Sequence, residues 1–444
     1  MFKKVLIANR GEIAVRAIRA CRELGIKTVA VYSEADRNSL HVRLADESVC
    51  IGPADPRKSY LDIPAIMSAV EVTGADAVYP GYGFLAENPK FAEIVQKSRV
   101  RFIGPSPETL EIIGDKIRAK EIARRVGLPL VPGSNGSVTL ESALEVAGRI
   151  GYPVVLKASA GGGGRGIRIV MNEKDLREKF PVAVQEAETA FGDGRLYLEK
   201  FIINPKHIEF QVLADSKGNV AVLGERECSI QRRHQKLLEE APSTSVSPKK
   251  RKDLSEAVIE FCREIGYEGA GTVEFLMDED GNFYFMEMNG RIQVEHSVTE
   301  MVTGVDIVKW QIKVAMGRKL RIGKVSIRGY AIEFRINAED PDTFLPSPGK
   351  VEDLILPGGI GVRVDTHIYP GYEVPPHYDS LLAKLIVWGE TREEAIRRGL
   401  RALGEFLISG KGLKTNIDFH KRVLMSKEFR EGRHHIGFVE EMMV

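Results

Sequence analysis

The chain of 444 residues lacks any apolar stretch long enough to cross a bilayer. Its first apolar run, residues 5–8, ends before Asn9 and is too short for the hydrophobic region of a secretory signal. An excess of either charge is also absent, because 63 Lys and Arg stand against 62 Asp and Glu, a net charge of +1. Together these absences argue against a membrane or a nucleic acid as the main partner.

Cysteine is scarce as well. The four cysteines lie far apart and show no metal-ligand spacing: Cys21, Cys50, Cys228 and Cys262. Free thiols in a reducing cytoplasm are the favoured interpretation, with disulfides as the alternative. The length exceeds what one hydrophobic core can serve and predicts roughly three domains.

The first third of the chain alternates strand-like and helix-like patterns. The apolar runs KVLIAN and KTVAVYS flank EIAVRAIRACRELG, which has helical spacing. Strands separated by helices predict a parallel, doubly wound sheet. Ligands bind at the carboxyl ends of the strands in such sheets, where NRGE and YPGYGFLAEN stand.

The pattern changes at about Asp115. A helix-like segment, the strand YPVVLKAS and a glycine loop come first, and three strand-like runs separated by turn residues follow. These features predict an α+β nucleotide-binding domain with antiparallel strands. A third region, with strands and Gly/Pro-rich turns, starts at about Arg328. We therefore predict domains at residues 1–114, 115–327 and 328–444.

The glycine loop, KASAGGGGRG, lies between two strand-like runs. Backbone amides without side chains can approach phosphate oxygens closely and form an anion-binding concavity. The loop lacks the Gly-Lys-Ser/Thr ending of a P-loop, so a flexible surface hairpin is the alternative. Lys157, at the end of the preceding strand, favours phosphate binding because it can reach a phosphate held under the loop.

The segment GTVEFLMDEDGNFYFMEMN predicts a hairpin. A two-residue loop of Asp280 and Gly281 places Glu274 directly opposite Glu287. Like charges in that arrangement are destabilising, so two carboxylates within apolar strands favour a bound cation. Their oxygens, with Asn289 nearby, suit Mg²⁺ or Mn²⁺ that also binds nucleotide phosphates. Two solvent-facing glutamates are the alternative.

Polar and apolar residues alternate in FMEMNGRIQVEH, residues 285–296. An extended segment puts alternate side chains on one side, so Arg291, Gln293 and Glu295 are expected to continue the row of metal-binding residues. Arg can hold a planar anion such as bicarbonate in a bidentate manner, and a nearby carboxylate can take its proton. The residues alone do not single out bicarbonate among such anions.

The segment ERECSIQRRHQKLLEEAP mixes many basic and acidic residues. Such charge runs are usually solvated surfaces. Next to a phosphate and metal site, some of its cations would instead line a pocket for an anionic substrate.

Taken together, several stretches of the sequence resemble the biotin carboxylase family. They include ANRGEIAVR, YPGYGFLAEN, KASAGGGGRG, HIEFQVLAD, ERECSIQRRHQK, MNGRIQVEH, RINAEDP and YDSLLAKLI, in the family's order over essentially the whole chain. The resemblance implies a Rossmann-like α/β domain with a parallel sheet, followed by an α+β ATP-grasp fold and the family's C-terminal domain. A mobile glycine-rich lid is implied at about residues 130–203.

The resemblance implies a site for ATP and for magnesium or manganese. The metal would be bound by Glu274, Glu287 and Asn289, and phosphates by lysines beneath the lid backbone. The implied ATP-binding residues are Lys116, Lys157, Gly162, Gly163, Gly164, Gly166, Glu199, Lys200, Ile202, His207, Gln231 and His234. Among them, Glu199, Lys200 and Ile202 would hold adenine.

The resemblance also implies where bicarbonate and biotin bind. Bicarbonate would be held by three side chains and a backbone group, those of Lys236, Arg291, Gln293 and Val294. Glu295 would be the base that deprotonates it. Biotin would lie beside Tyr82 and Gly83, and Arg335 would stabilise the enolate of its ureido group. The implied catalytic residues are therefore Glu295, Arg291, Lys236 and Arg335.

The implied reaction has two stages. Deprotonated bicarbonate attacks the γ-phosphorus of ATP to give carboxyphosphate, which breaks down to CO₂ and phosphate. The phosphate then takes the ureido proton, and the biotin enolate captures CO₂. The sequence has no biotinyl-lysine segment such as AMKM, so biotin is expected on a separate biotin carboxyl carrier protein. A carboxyltransferase subunit, a homodimer and a cytoplasmic location are also implied, whereas the final acceptor (acetyl-CoA, propionyl-CoA, pyruvate or 2-oxoglutarate) stays open.

Two positions depart from the family pattern. Gly290 stands where threonine is frequent, and Ser297 stands where proline is commoner. Neither is an implied ligand, so the departures bear on local backbone geometry and not on the chemistry.

Three other functions fit parts of the sequence. A carboxylate–amine ligase of the ATP-grasp type would share the lid and the acid pair, but it does not need the arrangement of Arg291, Gln293 and Glu295. An NAD-dependent oxidoreductase would fit the first region, but ANRGEIA lacks the G-x-G-x-x-G spacing. A non-catalytic nucleotide-binding subunit would be expected to lack Glu295, Lys236 or Arg335, and all three are present.

Overall fold

The structure, a computed structural model, describes residues 2–160, 166–323 and 325–443. Gly162, Gly163 and Gly164, which are predicted to bind ATP, lie outside the described residues. Among the described helices, none is both long enough and apolar enough to cross a membrane.

The amino-terminal region alternates strands and helices, as its sequence pattern predicts. Its elements are β1 (Lys4–Ile7), α1 (Gly11–Glu23), β2 (Lys27–Tyr32), α2 (Leu40–Leu44), β3 (Glu47–Cys50), α3 (Ile63–Thr73), β4 (Ala77–Tyr79), α4 (Pro89–Lys97), β5 (Arg101–Phe102) and α5 (Pro107–Gly114). The strands are parallel and lie in the order β3-β2-β1-β4-β5. This is the order of a doubly wound sheet, so the prediction of a Rossmann-like region is confirmed.

The middle region is richer in antiparallel strands. Its elements are α6 (Lys116–Arg125), α7 (Leu140–Ile150), β6 (Val154–Ala158), β7 (Ile167–Val170), α8 (Glu173–Phe191), β8 (Leu196–Lys200), β9 (Lys206–Ala214), β10 (Val220–Arg232), β11 (Gln235–Ala241), α9 (Pro248–Glu264), β12 (Gly269–Met277), β13 (Phe283–Asn289), α10 (His296–Thr303) and α11 (Ile307–Ala315). Strands β7, β6 and β8 form a small antiparallel sheet, and the glycine loop joins its first two strands.

The carboxy-terminal region adds strands to a sheet that the middle region begins. Its elements are β14 (Tyr330–Asn337), β15 (Asp353–Ile355), β16 (Val362–Thr366), β17 (Leu381–Gly389), α12 (Arg392–Glu405), β18 (Leu407–Ser409), α13 (Ile417–Met425), α14 (Lys427–Arg430) and α15 (Phe438–Met442). The large sheet has the order β13-β12-β9-β10-β11-β14-β17-β16. It therefore runs without interruption past residue 328, where the third domain is predicted to begin.

Local sequence explains where several helices start and stop. The carboxylate of Asp62 accepts a hydrogen bond from the backbone amide of Ala65 and caps α3, which ends at Gly74 with a φ of 62°. An Asp cap at the start and a left-handed glycine at the end are typical helix boundaries. Helix α1 has no side-chain cap, but it buries its apolar side between the parallel sheet and α11. Packing, more than capping, therefore holds α1 in place.

The parallel sheet presents a ligand-binding edge between β1 and β4. There the side-chain amide of Asn9 donates to the carbonyl oxygens of Pro80 and Tyr82, each at 2.7 Å. Gly81 has a φ of 64°, and a Cβ at this position would lie 2.9 Å from the Asn9 amide nitrogen. The motifs NRGE and YPGYGF thus meet where the strand order reverses, as expected for a ligand site in this type of sheet.

The hairpin of β12 and β13 pairs Glu274 with Glu287, as the sequence predicts. The predicted two-residue loop is wrong, because Asp278 already bonds to Asn282 across a longer turn. The pairing register then shifts between Glu274 and Phe275. This one-residue irregularity offsets the longer turn and restores the predicted pairing of the two acids.

Candidate active site

A cavity of about 730 Å³ opens between the β1–β4 edge and one side of the large sheet. Side chains from all three regions of the chain line it. The residues that the sequence predicts for the site and that line this cavity are Tyr82, Gly83, Lys116, Lys157, His207, Gln231, His234, Lys236, Glu274, Glu287, Asn289, Arg291, Gln293, Val294, Glu295 and Arg335.

A row of charged side chains crosses neighbouring strands of the large sheet. Glu287 pairs with Glu274, Glu274 pairs with Glu209, and Glu209 pairs with Arg226. Paired residues on adjacent strands point to the same side of a sheet. Three carboxylates therefore stand side by side, and the buried guanidinium of Arg226 ends the row.

The acid pair of the hairpin is surrounded by hydrogen-bond donors and cations. The side-chain amides of Asn289 and Gln293 donate to one oxygen of Glu274, at 2.7 and 2.6 Å. Lys116 lies 3.0 Å from Glu287. Burial would raise the pKa of Glu274, but Lys236 and His207 outweigh it and hold that pKa well below its usual range. The charged, oxygen-rich donor set fits a hard divalent cation that also contacts phosphate.

Lys236 connects the acids of this side of the sheet. Its ammonium group donates to Glu209 at 2.6 Å, to Glu295 at 2.8 Å and to Glu274 at 3.2 Å. Burial would lower the pKa of Lys236, but the three carboxylates raise it well above its usual range. Lys236 is therefore a permanent positive charge at the centre of the cavity wall.

Glu295 does not lie on an extended strand, contrary to the expected alternation. Strand β13 ends at Asn289, residues 290–294 have no regular structure, and Glu295 directly precedes helix α10. Tertiary hydrogen bonds bring these side chains together, because the amide of Gln293 reaches Glu274 and the carboxylate of Glu295 reaches Lys236. The predicted neighbours are correct although the predicted conformation is not.

Both oxygens of the Glu295 carboxylate contact cations. Lys236 donates to one oxygen, and Arg335 donates to the other at 2.9 Å. Burial would raise the pKa of Glu295, which is 2% exposed, but Lys236, Arg335 and Arg226 outweigh it and hold the pKa far below its usual range. In this arrangement Glu295 is a carboxylate with little tendency to take a proton.

Arg335 is shared between two acids. Its guanidinium donates to Glu239 at 2.7 Å as well as to Glu295. Glu239 pairs across the strands with Glu333, and each of these buried acids has one oxygen without a hydrogen-bond partner among the described residues. Burial raises the pKa of Glu239 to about 7 and that of Glu333 to about 8. Such a pair favours the presence of a proton between its members.

Arg291 is anchored to the amino-terminal region. Its guanidinium donates to Glu87 at 2.7 Å, and the backbone amide of Gly290 donates to the other oxygen of Glu87 at 2.9 Å. A Cβ on Gly290 would lie 2.5 Å from the end of the Ile113 side chain. The glycine at this position therefore matches the close approach of α5.

Ser297, the other departure from the family pattern, also has a local role. Its hydroxyl donates to the carboxylate of Glu333 in the interior. A proline at this position could not make this hydrogen bond.

The residues predicted to hold adenine lie outside the set that lines the cavity. Glu199, Lys200 and Ile202 are not among the residues that line the cavity. The carboxylate of Glu199 is held by Lys157 at 2.7 Å and by Lys120. Lys200 donates instead to the carbonyl oxygens of residues 151 and 152. Adenine binding by these residues stays a prediction.

The turn between β10 and β11 places His234 in the cavity wall. Arg233 and His234 have φ values of 48° and 64°, and Arg232 pairs with Gln235. A two-residue turn with two positive φ values fits the twist of the hairpin, although neither residue is a glycine. In the same wall, the amide of Gln231 lies 3.5 Å from the ring of His207.

Two residues of the site, Glu209 and Glu87, were not singled out by the sequence. Glu209 lies in the charged row, and Glu87 holds Arg291. Arg226, which ends the row, and Glu239, which holds Arg335, lie in the segment ERECSIQRRHQKLLEEAP, whose cations were predicted on a solvated surface or in a pocket for an anion. The alternation of polar and apolar residues in HIEFQVLAD was a usable signal for Glu209. No local pattern marks Glu87, because its partner is 204 residues away in the chain.

Family models match three successive parts of the chain. The model of the biotin carboxylase N-terminal domain matches residues 1–110, and that of the biotin carboxylase C-terminal domain matches residues 333–441. Between them, the ATP-binding domain of the carbamoyl-phosphate synthase L chain matches residues 115–323. A biotin carboxylase of Haemophilus influenzae is 55% identical over 447 residues, covering 100% of this chain and 99% of that protein.

Solved structures show the same similarity over the full length. A biotin carboxylase–beta-gamma-ATP complex from Campylobacter jejuni has a TM-score of 0.96 and 51% identity, and covers 99% of each chain. The biotin carboxylase domain dimer of Hydrogenobacter thermophilus 2-oxoglutarate carboxylase, with MgADP, ADP and bicarbonate, has a TM-score of 0.94 and 53% identity. It covers 99% of this chain and 98% of that one.

Proposed function

The chain belongs to the biotin carboxylase family, and on that premise we propose that its cavity carboxylates biotin on a carrier protein with ATP and bicarbonate. The observation that carries the proposal is the position of Glu295 between Lys236 and Arg335. The same cavity contains the acid pair Glu274 and Glu287, which suits a phosphate-bound metal. A base, an anion-binding cation and a metal site thus share one wall.

Lys116 and Lys157 bind the phosphates of ATP in this proposal, and Glu274, Glu287 and Asn289 hold magnesium or manganese. The metal, when bound, neutralises charge on the phosphate oxygens. Lys116 already faces Glu287 at 3.0 Å, so a phosphate bound there would meet a lysine and a metal ligand together. The protein contributes positioning and charge, which are its main means of promoting phosphoryl transfer.

Bicarbonate is held by Lys236, Arg291, Gln293 and the backbone of Val294. Glu295 takes its proton, and a bicarbonate oxygen attacks the γ-phosphorus with ADP as the leaving group. This role requires a more basic Glu295 than its present cation contacts allow. Bicarbonate draws Lys236 away and biotin draws Arg335 away, so Glu295 becomes a competent base when both substrates are bound.

Biotin lies beside Tyr82 and Gly83, with its ureido oxygen toward Arg335. Carboxyphosphate breaks at its C–O bond to give CO₂ and phosphate, and the phosphate accepts the ureido N–H proton. Arg335 stabilises the negative charge that then develops on the ureido oxygen while nitrogen attacks CO₂. A closed cavity is needed because water would destroy carboxyphosphate.

The test is the cleavage of MgATP by the purified protein in the presence of bicarbonate and free biotin. We expect ADP formation to require bicarbonate and to rise with biotin, with carboxybiotin as the product. A carboxylate–amine ligase would instead form ADP when an amine and a carboxylic acid are supplied. ATP cleavage that ignores both bicarbonate and biotin would overturn the proposal.

A biotin carboxyl carrier protein, a carboxyltransferase subunit and a second copy of this chain are the proposed partners. The dimer in the 2-oxoglutarate carboxylase structure supports the last of these. Cys21, Cys50, Cys228 and Cys262 are free thiols, which supports the proposed cytoplasmic location.

The division into domains at residues 1–114, 115–327 and 328–444 is retained as part of the proposal. The three family matches fall within these spans and support it. The continuous sheet means that the second and third spans share strand pairing at β11 and β14 and would not be expected to separate.

A further inference from the structure

Lys384 is a charged side chain that the proposed reaction does not use, yet it is fully buried. It lies on β17 and pairs with Arg335 of β14 and with Asp365 of β16. Removing an ammonium group from water is costly unless polar groups surround it. The groups that contact the Lys384 ammonium therefore indicate what a lysine does at this position.

The Lys384 ammonium group contacts two separate parts of the cavity wall. It donates to the carbonyl oxygen of Val294 at 2.8 Å, and it lies 3.3 Å from the carboxylate of Glu12. Val294 immediately precedes the proposed base, and its backbone is part of the proposed bicarbonate site. Lys384 thus fixes the carbonyl oxygen of a loop that has no regular structure of its own.

The second contact leads to the biotin side. The hydroxyl of Tyr82 donates to Glu12 at 2.6 Å. Glu12 is 3% exposed and lies in α1, next to the β1–β4 edge. Burial raises the pKa of Glu12, and the opposing charge of Lys384 acts to keep it a carboxylate. A chain of polar contacts therefore runs from the half-buried Tyr82 through the buried Glu12 and Lys384 to the carbonyl oxygen of Val294.

This chain joins all three regions of the molecule. Tyr82 and Glu12 come from the amino-terminal region, Val294 from the middle region and Lys384 from the carboxy-terminal strands. We propose that Lys384 is a positioning residue that couples the biotin side, at Tyr82, to the bicarbonate loop, residues 290–295. The proposal rests on the proposed function, because it assigns a link between two of its substrate sites.

A double-mutant cycle on the whole protein tests the link. The first substitution is Tyr82→Phe, which removes the hydroxyl at the biotin end of the chain of contacts. The cycle measures this substitution in the natural chain and in a second background, Glu12→Gln/Lys384→Met. The second background breaks the chain of contacts and removes both buried charges, so that neither is left unpaired. Asp365 keeps a partner in this background because Arg363 donates to both of its oxygens.

The readout is the KM for bicarbonate in biotin-dependent ATP cleavage. We expect Tyr82→Phe to raise this KM by about twofold to 100-fold in the natural chain and to have no further effect in the second background. The KM for ATP should stay unchanged in every variant. Tyr369→Phe, which removes a hydroxyl bonded to the Asn38 carbonyl, is the matched control and should change neither KM.

An equal effect of Tyr82→Phe in both backgrounds would overturn the link, and so would a bicarbonate KM that Tyr82→Phe leaves unchanged in the natural chain. If the double background does not fold, Glu12→Met alone provides the second background, since it removes the carboxylate that joins Tyr82 to Lys384 while Lys384 keeps the Val294 carbonyl and Asp365 as partners. Failure of the proposed function is distinct, because the unsubstituted protein would then show no biotin-dependent cleavage of ATP.

Discussion

The cavity has a charged end and a lid end, and they are built differently. At the charged end, formed by Glu209, Lys236, Glu295 and Arg335, side chains from distant parts of the chain hold one another. At the lid end, Lys157 of the three-stranded sheet lines the cavity, and Glu199 behind it holds both Lys157 and Lys120 of α6. Among the described residues, Lys236 pairs with three carboxylates and Glu295 with two cations, whereas Lys157 pairs with Glu199 alone.

The two ends therefore suit different tasks: the charged end suits the chemical steps, and the lid end suits nucleotide binding. Interlocked charges cost no reorganisation at the moment of reaction, which suits stabilisation of a developing charge. On the proposed function they also keep Glu295, the proposed base, inactive until substrates take its cation partners. Lys157 and Glu199 lie outside that network, so on the proposed function a nucleotide can bind at the lid end without breaking it.

We expect the largest loss of activity from replacement of Glu295, the proposed base at the charged end. We expect Glu295→Gln to lower biotin-dependent ATP cleavage by about 10²–10⁴-fold, because general base catalysis contributes that much. Nucleotide affinity should stay the same, since the lid end is untouched. Steady-state kinetics and nucleotide titration check both, with the exposed Glu264→Gln as control. Full activity in Glu295→Gln would remove its role as the base.

Replacement of Arg335 separates its proposed role toward biotin from its effect on Glu295. In Glu239→Gln/Arg335→Met, which leaves no unpaired carboxylate at position 239, we expect biotin-dependent cleavage to fall by about 10²–10³-fold. Cleavage without biotin should not fall, because Arg335 no longer lowers the pKa of Glu295. Measuring both rates, with Arg422→Met on the surface as control, tests this. An equal loss of both rates would contradict the double role.

The dependence of folding stability on pH tests whether Glu239 and Glu333, the buried acids next to Arg335, hold a proton. Burial raises the pKa of Glu333 from 4.5 to about 8, while Lys384 opposes the rise and the neighbouring Glu239 adds to it. The folded chain thus holds a proton that the unfolded chain releases. This contribution to stability is complete below about pH 4.5 and is lost as the pH rises through about 8.

The expected consequence is a pH-dependent difference between the natural chain and Glu333→Gln. Between about pH 5 and 8, the free energy of unfolding of the natural chain should fall relative to the variant by up to about 1.4 kcal/mol per pH unit. Urea unfolding at two pH values measures it. Ser297 and Arg335, which also face these acids, are kept unchanged. Parallel profiles would show that Glu333 carries no proton.

The lid end should respond more weakly. Glu199 is shared by Lys157 and the half-buried Lys120; partial burial lowers the pKa of Lys120 to about 8 although Glu199 opposes the shift. In Lys120→Met, Glu199 holds Lys157 alone, so Lys157 is less available to a phosphate. We expect the KM for ATP to rise about threefold to tenfold with little change in kcat. Steady-state kinetics, with the exposed Lys97→Met as control, check this; an unchanged KM would contradict it.

Local and long-range features of the molecule also differ in how far the sequence could predict them. The parallel sheet was predictable because hydrophobic period determines its elements locally. The pairing of Glu274 with Glu287 was predicted correctly although the turn is longer than predicted, because the register shift after Glu274 offsets the difference. The row from Glu287 to Glu295 was predicted as one extended segment, a strand or strand-like loop, and this was wrong because tertiary contacts override the local alternation after Asn289. Contacts such as Glu87 with Arg291 depend on the packing of separate regions, which no local pattern encodes.

The most direct test of the account follows oxygen atoms through the reaction. If a bicarbonate oxygen attacks the γ-phosphorus and carboxyphosphate then breaks at its C–O bond, that oxygen remains on phosphate. With ¹⁸O-labelled bicarbonate, MgATP and biotin, the account predicts that each phosphate released carries one labelled oxygen. Phosphate that carries no label, while carboxybiotin is still formed, would contradict the central claim.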